Sequence, residues 1–373
     1  MSKVILAANT DWYLYNFRLS LARYLREHGL EVVLVSPPGR YAEHLSNSGF
    51  RWLPWQLGRQ TLTPWTEASA FLALQRIYRQ EKPQLVHHFT IKPVLYGTLT
   101  ARRLHVPAVV NSITGLGYVF LSQETKTRLL RLIVTTAYRA AFKHPNNAAI
   151  FENETDRQVF LRLGLLPAER AVVIEGVGVD AERFTPTQEP QGTPLVVLPA
   201  RMLWDKGVGT LVEAARLLQP RLPVRIALVG EPDPGNPANI DETKLRAWTQ
   251  EGLVEWWGWR ADMPAVFAQS TLVTLPSLGE GVPTVLLEAA ASGRAIVATD
   301  VPGCRDVVKQ GVNGLLVPAQ DAPALAEALY QLLTDPGLRG RMGAAGRQMI
   351  LDRFTTARVN PATFDVYRSL ISV

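Results

Sequence analysis

Short runs of β-branched residues return along this chain at helix-length intervals, and that rhythm constrains its fold more than any other feature. KVILAA (3–8), EVVLVS (31–36), QLVHH (84–88), PAVVNS (107–112), AAIFEN (148–153) and AVVIEG (171–176) alternate with longer helical stretches. Near-continuous apolar strands separated by helices are the pattern of parallel βα units, buried on both faces. The rhythm halts at a polar, proline-rich stretch, TPTQEPQGTP (185–194), and restarts with LVVLPA (195–200), VRIALVG (224–230), LVEWW (253–257), TLVTLP (271–276) and AIVATD (295–300). The chain therefore reads as α/β with two doubly wound, Rossmann-like parallel-sheet domains, spanning 1–183 and 184–354. A last helix is expected over 355–373, with Pro361 near its start, packing back on the first domain. A length of 373 residues agrees with two domains, because single cores stop growing well short of it.

Composition removes several classes. With 47% apolar and 19% charged residues the chain is an ordinary globular protein. A single cysteine, Cys304, excludes an internal disulfide and a cysteine-based zinc site. The opening MSKVILAANTDWY holds too short an apolar run for a signal-peptide core, and no stretch reaches a membrane span, so the cytoplasm is the expected location. The formal charge of +6 is uneven: residues 1–183 hold 22 Lys and Arg against 14 Asp and Glu, whereas 184–373 hold 17 against 19. The first half is therefore the part expected to meet an anionic partner.

Two constellations carry chemistry. In SLGEGVPTVLLEAAASG (277–293), Pro283 suits the first helical position and Gly293 the position just past the end. The first N–H groups, at Thr284 and Val285, and the positive end of the helix dipole suit a pyrophosphate. Glu280 precedes this helix and Glu288 lies a turn into it, interrupting an apolar run where an unpaired charge is costly. In LPARMLWDKGVGTLVEAARLL (198–218), Arg201 and Lys206 flank a strand-to-helix turn, where two cations suit two phosphates. A third loop, VGEPDPG (229–235), ends a strand with Gly230, read as giving a ligand access to the backbone.

Together these segments resemble glycosyltransferase family 4, retaining enzymes with the GT-B fold, whose two Rossmann-like domains face a central cleft. Glu280 and Glu288 match that family's E-x7-E signature, and Arg201 with Lys206 match its phosphate-binding cations. The resemblance implies that Glu280 and the backbone of Gly281, Val282 and Pro283 hold the donor sugar, that Glu288 holds the ribose, and that EWWGW (255–259), with Trp257 and Gly258, lies by the nucleobase. It assigns acceptor binding to 1–183 and the nucleotide sugar to 184–354.

In the first half, VHHFTIKPVLYGTLTARR (86–103) and NSITGLGYVF (111–120) look like the subgroup that assembles capsular polysaccharides, O-antigens and other lipid-linked bacterial glycans. Asn16, Arg18, His87, His88, Lys92, Gly115 and Gly117 are the acceptor-side candidates; the family's H-x-H is replaced here by His87, His88 and Phe89. The implied reaction is transfer of a sugar, by default an N-acetylhexosamine from a UDP-sugar, to a polyprenyl-diphosphate-linked saccharide. No cofactor is implied. The chain lacks a D-x-D motif, so metal independence is expected. Same-face attack makes no demand for a protein base; Asp11, His87 and His88 are the strand-end candidates for one.

In 122–144, Arg128, Arg131, Arg139 and Lys143 are spaced along one helical face and Leu130, Ile133, Val134, Ala137 and Ala141 along another. Such a helix suits an anionic membrane surface, and equally an ordinary helix with its apolar face in a core. Trp52, Trp55 and Trp65, with Arg51 and Arg59, suit a membrane interface, an acceptor groove or a buried loop. The combined expectation is a peripheral enzyme on the inner face of the bacterial membrane that binds no nucleic acid. The alternatives are a nucleotide-sugar 2-epimerase of the same architecture and a non-enzymatic nucleotide- or nucleic-acid-binding protein.

Overall fold

The computed structural model describes residues 2–58, 63–115 and 125–372, and the side chains of all of these except 125–130. The chain divides into two compact units, Met1–Val177 with Thr356–Val373, and Gly178–Thr355.

Among the described residues the first unit contains seven strands: β1 Lys3–Ala7, β2 Glu31–Ser36, β3 Arg51–Pro54, β4 Leu85–Phe89, β5 Ala108–Ile113, β6 Asn147–Phe151 and β7 Ala171–Val173. They form one sheet in the order β3-β2-β1-β4-β5-β6-β7 with every pairing parallel. The second unit contains β8 Leu195–Pro199, β9 Arg225–Val229, β10 Glu255–Gly258, β11 Leu272–Leu275, β12 Ala295–Thr299 and β13 Gly314–Val317, in the order β10-β9-β8-β11-β12-β13, again all parallel. Both sheets are doubly wound. The central strands β1, β4, β8, β11 and β12 are buried almost throughout, so the same runs of Val, Ile and Leu that announced strands also form the two cores.

Two short strands were not read from the sequence. β3 is four residues, RWLP, ending in proline, which suits only an edge. β13, GLLV, is equally short, and its pairing with β12 comes from the tertiary fold.

The order of each sheet reverses between β1 and β4 in the first unit and between β8 and β11 in the second. Loops leaving adjacent strands at such a reversal diverge and open a crevice at the carboxyl edge, which is where α/β sheets bind ligands. The final helix, Thr356–Leu370, carries Pro361 inside it and buries Val359, Phe364 and Tyr367 in the core of the first unit.

Candidate active site

In the second unit the loops after β8 and β11 flank the reversal, and backbone geometry ties them together. The loop after β8 makes a tight turn, Trp204–Lys206, before the helix Val208–Leu218. The Asp205 carbonyl accepts from Leu278 N at 2.8 Å and from Ser277 Oγ at 3.0 Å, and the Ser277 carbonyl accepts from Thr299 Oγ1. This lacing sets Lys206 Nζ 2.6 Å from Glu280 Oε1, with the side chains only 21% and 11% exposed. A charge-assisted hydrogen bond so far from bulk water is among the stronger kinds. Arg201, half-exposed, reaches Asp233 Oδ2 at 2.7 Å. Gly281 is wedged from behind: a Cβ on Gly303 would lie 1.5 Å from its carbonyl oxygen, so only glycine fits at 303.

The helix that follows spans Thr284–Ala291, and Gly293 beyond its end adopts φ 69°. Pro283, at φ −72° and ψ 106°, is the residue before the first turn rather than the first helical one expected. Its extended ψ lets the chain turn out of the Glu280–Val282 loop. Val282 is buried beneath the loop, and Thr284 and Val285 are half-buried in the first turn, whose amides have no intrahelical acceptor. Glu288 sits one turn in. Burial pushes its carboxyl up to about 8, with the nearby Arg183 pulling the other way. Among the described residues no hydrogen bond reaches that carboxyl.

Gly230 follows β9 directly. Its φ of 153° is unusual, and a Cβ there would lie 1.9 Å from the Ala200 carbonyl oxygen. Glycine is needed here for the β8 and β9 loops to pass each other. Gly230 N donates to the Gly258 carbonyl at 2.9 Å, and the Trp257 indole donates to Glu255 Oε2 at 2.9 Å. Beside Gly258 lies a hollow of about 440 Å³ walled by Glu231, Asp241, Glu242 and Trp256. Glu231 and Trp256 fall within the segments VGEPDPG (229–235) and EWWGW (255–259) noted in the sequence, whereas Asp241 and Glu242 were not singled out there.

The first unit overturns several expectations. His87 and His88 are fully buried. His87 is held by Tyr367 Oη at 2.6 Å and Ser112 Oγ at 2.7 Å, and His88 by Tyr78 Oη and Asn111 Oδ1, both at 2.8 Å. Burial drives both pKa values down, that of His88 to about 4. With both ring nitrogens engaged and no exposed surface, neither is placed to meet an acceptor or take its proton. Asp11 is likewise buried, and its two oxygens accept Trp12 N at 2.8 Å and Tyr41 N at 2.7 Å. Arg18 is buried, donates to Tyr13 Oη at 2.7 Å and lies 4.3 Å from the centre of the Phe89 ring. Lys92 braces Glu67 Oε1 at 2.9 Å and the Gly58 carbonyl at 2.6 Å. Asn16 is exposed, and Gly115, at φ 112°, is half-exposed in the loop after β5. Gly117 lies outside the described residues.

The helix Thr125–Ala141 turns most of its expected apolar face to the core: Val134, Ala137 and Ala141 pack inward with Tyr138, but Ile133 is 58% exposed beside Leu132 at 60%. Arg139 donates to the Leu163 carbonyl at 3.1 Å, Lys143 is exposed, and the side chains of Arg128 and Leu130 are outside the described set. The three tryptophans part company as well: Trp55 is fully buried with its indole on the Ala70 carbonyl, Trp52 donates to Ser36 Oγ, and Trp65 is 86% exposed. Arg59 lies outside the described residues. No helix among the described residues is long and apolar enough to cross a membrane.

Two family models match the chain, one described as glycosyl transferase 4-like over residues 3–144 and one as glycosyl transferases group 1 over residues 193–335. Among curated relatives, the N,N'-diacetylbacillosaminyl-diphospho-undecaprenol alpha-1,3-N-acetylgalactosaminyltransferase of Campylobacter jejuni is 28% identical, with 87% of this chain and 88% of that one aligned. The UDP-Gal:alpha-D-GlcNAc-diphosphoundecaprenol alpha-1,3-galactosyltransferase of Escherichia coli is 24% identical over 82% of this chain and 80% of its own. Among solved structures, the sucrose-phosphate synthase of Thermosynechococcus elongatus superposes with a TM-score of 0.80, covering 99% of each chain at 21% identity.

Proposed function

The chain belongs to the glycosyltransferases described by the 4-like and group 1 families, with the GT-B fold, and on that premise we propose that it is a retaining, metal-independent hexosyltransferase of lipid-linked glycan assembly. The donor is a UDP-sugar, by default an N-acetylhexosamine, and the acceptor a polyprenyl-diphosphate-linked saccharide at the inner face of the membrane, reached through the basic first half. The two relatives above, whose names carry diphospho-undecaprenol acceptors, support the acceptor class.

The observation that carries the reading is the Lys206–Glu280 pair, held at 2.6 Å by two laced loops at the head of the helix that bears Glu288. In the proposed reaction the donor diphosphate sits over the first turn of that helix, with Lys206 and Arg201 neutralising the charge that grows as the glycosidic bond breaks. Glu280, with the backbone of Gly281 and Val282, fixes the sugar, and the Glu288 carboxyl, protonated at neutral pH by its burial, meets the ribose hydroxyls. The hollow beside Gly258 lies on the nucleobase side. The proton of the acceptor hydroxyl passes to a donor phosphate oxygen, so no protein base is required.

Thermal shift against UDP, GDP and their common sugars tests the donor site. A rise in Tm with uridine nucleotides, abolished in Glu288→Ala and reduced in Arg201→Ala, is the expected result; a folded protein that responds to none of them would remove the proposal. Incubation with UDP-sugar alone, which an epimerase would interconvert, separates the nearest alternative.

A further inference from the structure

The carboxyl edge of the first sheet carries a feature with no part in the donor chemistry. After β1 the chain passes through the turn Asp11–Tyr13 into a π-helical stretch, Leu14–Arg18. Single π turns are rare and concentrate at functional sites. The wider winding brings Trp12 and Phe17, five residues apart, into edge-to-face contact with ring centres 4.9 Å apart. The loop and helix after β2 add Tyr41 and His44: Tyr15 lies 4.9 Å from Tyr41 and 5.5 Å from His44. The Asn16 side chain lies near the Tyr41 hydroxyl and donates to the Trp12 carbonyl at 2.9 Å.

The two loops are fastened together by Asp11, whose buried carboxylate accepts the amides of both Trp12 and Tyr41. The rings nevertheless face water. Trp12 is 44% exposed, Asn16 and His44 are exposed, and Tyr15, Phe17 and Tyr41 are half-buried. A rigid, exposed aromatic surface costs solvation and marks a binding surface more often than an accident of packing.

We propose that Trp12, Tyr15, Phe17, Tyr41 and His44, with Asn16 beside them, form the platform on which the saccharide of the acceptor stacks. This rests on the glycosyltransferase reading above and extends it to a specific subsite. A pyranose presents flat C–H faces edged by hydroxyls, and the cluster presents ring faces edged by an amide, two phenol hydroxyls and an imidazole. An isoprenoid chain would have no use for those polar groups. Asp11 is a positioning residue in this scheme, aligning the loops without touching the sugar.

The test is steady-state kinetics with N-acetylglucosaminyl-diphosphoundecaprenol in detergent and the UDP-sugar selected by thermal shift. Trp12→Ala and Tyr15→Ala are expected to raise the acceptor KM at least tenfold while donor KM and kcat stay within about twofold, with Trp12→Phe keeping most of the wild-type affinity. Asn16→Ala, an exposed position, serves as a variant whose folding is not in question and is expected to raise acceptor KM severalfold. UDP release from the donor alone is measured in parallel, because it reports on donor turnover independently of the acceptor. Normal UDP release with an unchanged acceptor KM overturns the platform and leaves the glycosyltransferase reading standing. Absence of UDP release from the wild type, with or without acceptor, sinks both. Undecaprenyl diphosphate without a sugar should inhibit wild type and Trp12→Ala equally; weaker inhibition of the variant would assign the rings to the isoprenoid and overturn the proposal.

Discussion

The two units share a topology and differ in what each places at its carboxyl edge. In the second, ionisable groups line the reversal in partly open pairs, Lys206 with Glu280 and Arg201 with Asp233, and Glu288 waits with its carboxyl unbonded among the described residues. In the first, the ionisable groups that begin near the edge, Asp11, Arg18, His87 and His88, are buried and hydrogen-bonded within the fold, and an aromatic cluster faces water beside them. The same architecture is loaded for charge on one sheet and for shape on the other. A strand-end titratable residue is therefore not evidence of chemistry until its partners are known.

The comparison breaks most directly at Glu280. Glu280→Gln should lower kcat by about 10²–10³-fold, the range for removing one preorganised transition-state contact. A loss under about threefold would mean that the charged edge is not catalytic. Lys206→Ala should cost about 1.5–3 kcal/mol in kcat/KM, or roughly 10- to 100-fold, because a charged contact to phosphate is lost and Glu280 is left without its partner.

Stability against pH should separate the units in opposite directions. Glu288 is raised from 4.5 to about 8, so the folded state binds more protons than the unfolded state between those values, and stability falls as pH rises through them. His88 is lowered from 6.5 to about 4, so the unfolded state binds more protons there, and stability falls as pH drops from 6.5 toward 4. Thermal melts should show Glu288→Gln flattening the alkaline decline and His88→Gln flattening the acid one, with donor binding in His88→Gln unchanged. Identical pH profiles for both variants and wild type would dissolve the contrast. The smallest effect is expected at Arg201→Ala, about three- to tenfold in donor KM, since this side chain is half-exposed and screened by water.

Much of the fold was legible because parallel strands buried on both faces must be runs of apolar residues, and those runs are local. The helix holding Glu288 was legible for a similar reason, since Pro283 and Gly293 bracket it in the sequence. The edge strands β3 and β13 were not, because four residues with little pattern become strands only when a neighbour supplies their hydrogen bonds.

What the sequence determined by itself was the alternation of strands and helices, the restart after 185–194, the uneven charge, and the spacing of the Glu280–Glu288 and Arg201–Lys206 motifs. Only the tertiary structure decided which of those groups are available. It brought Lys206 to Glu280 across 74 positions through the Asp205 carbonyl, and closed His87 off with Tyr367 from 280 positions away. It also gathered Trp12, Tyr15, Tyr41 and His44 into one surface from two loops. Hydrogen bonding and burial at a strand end depend on which strands lie side by side, and strand order is a property of the folded sheet that no local run of residues encodes.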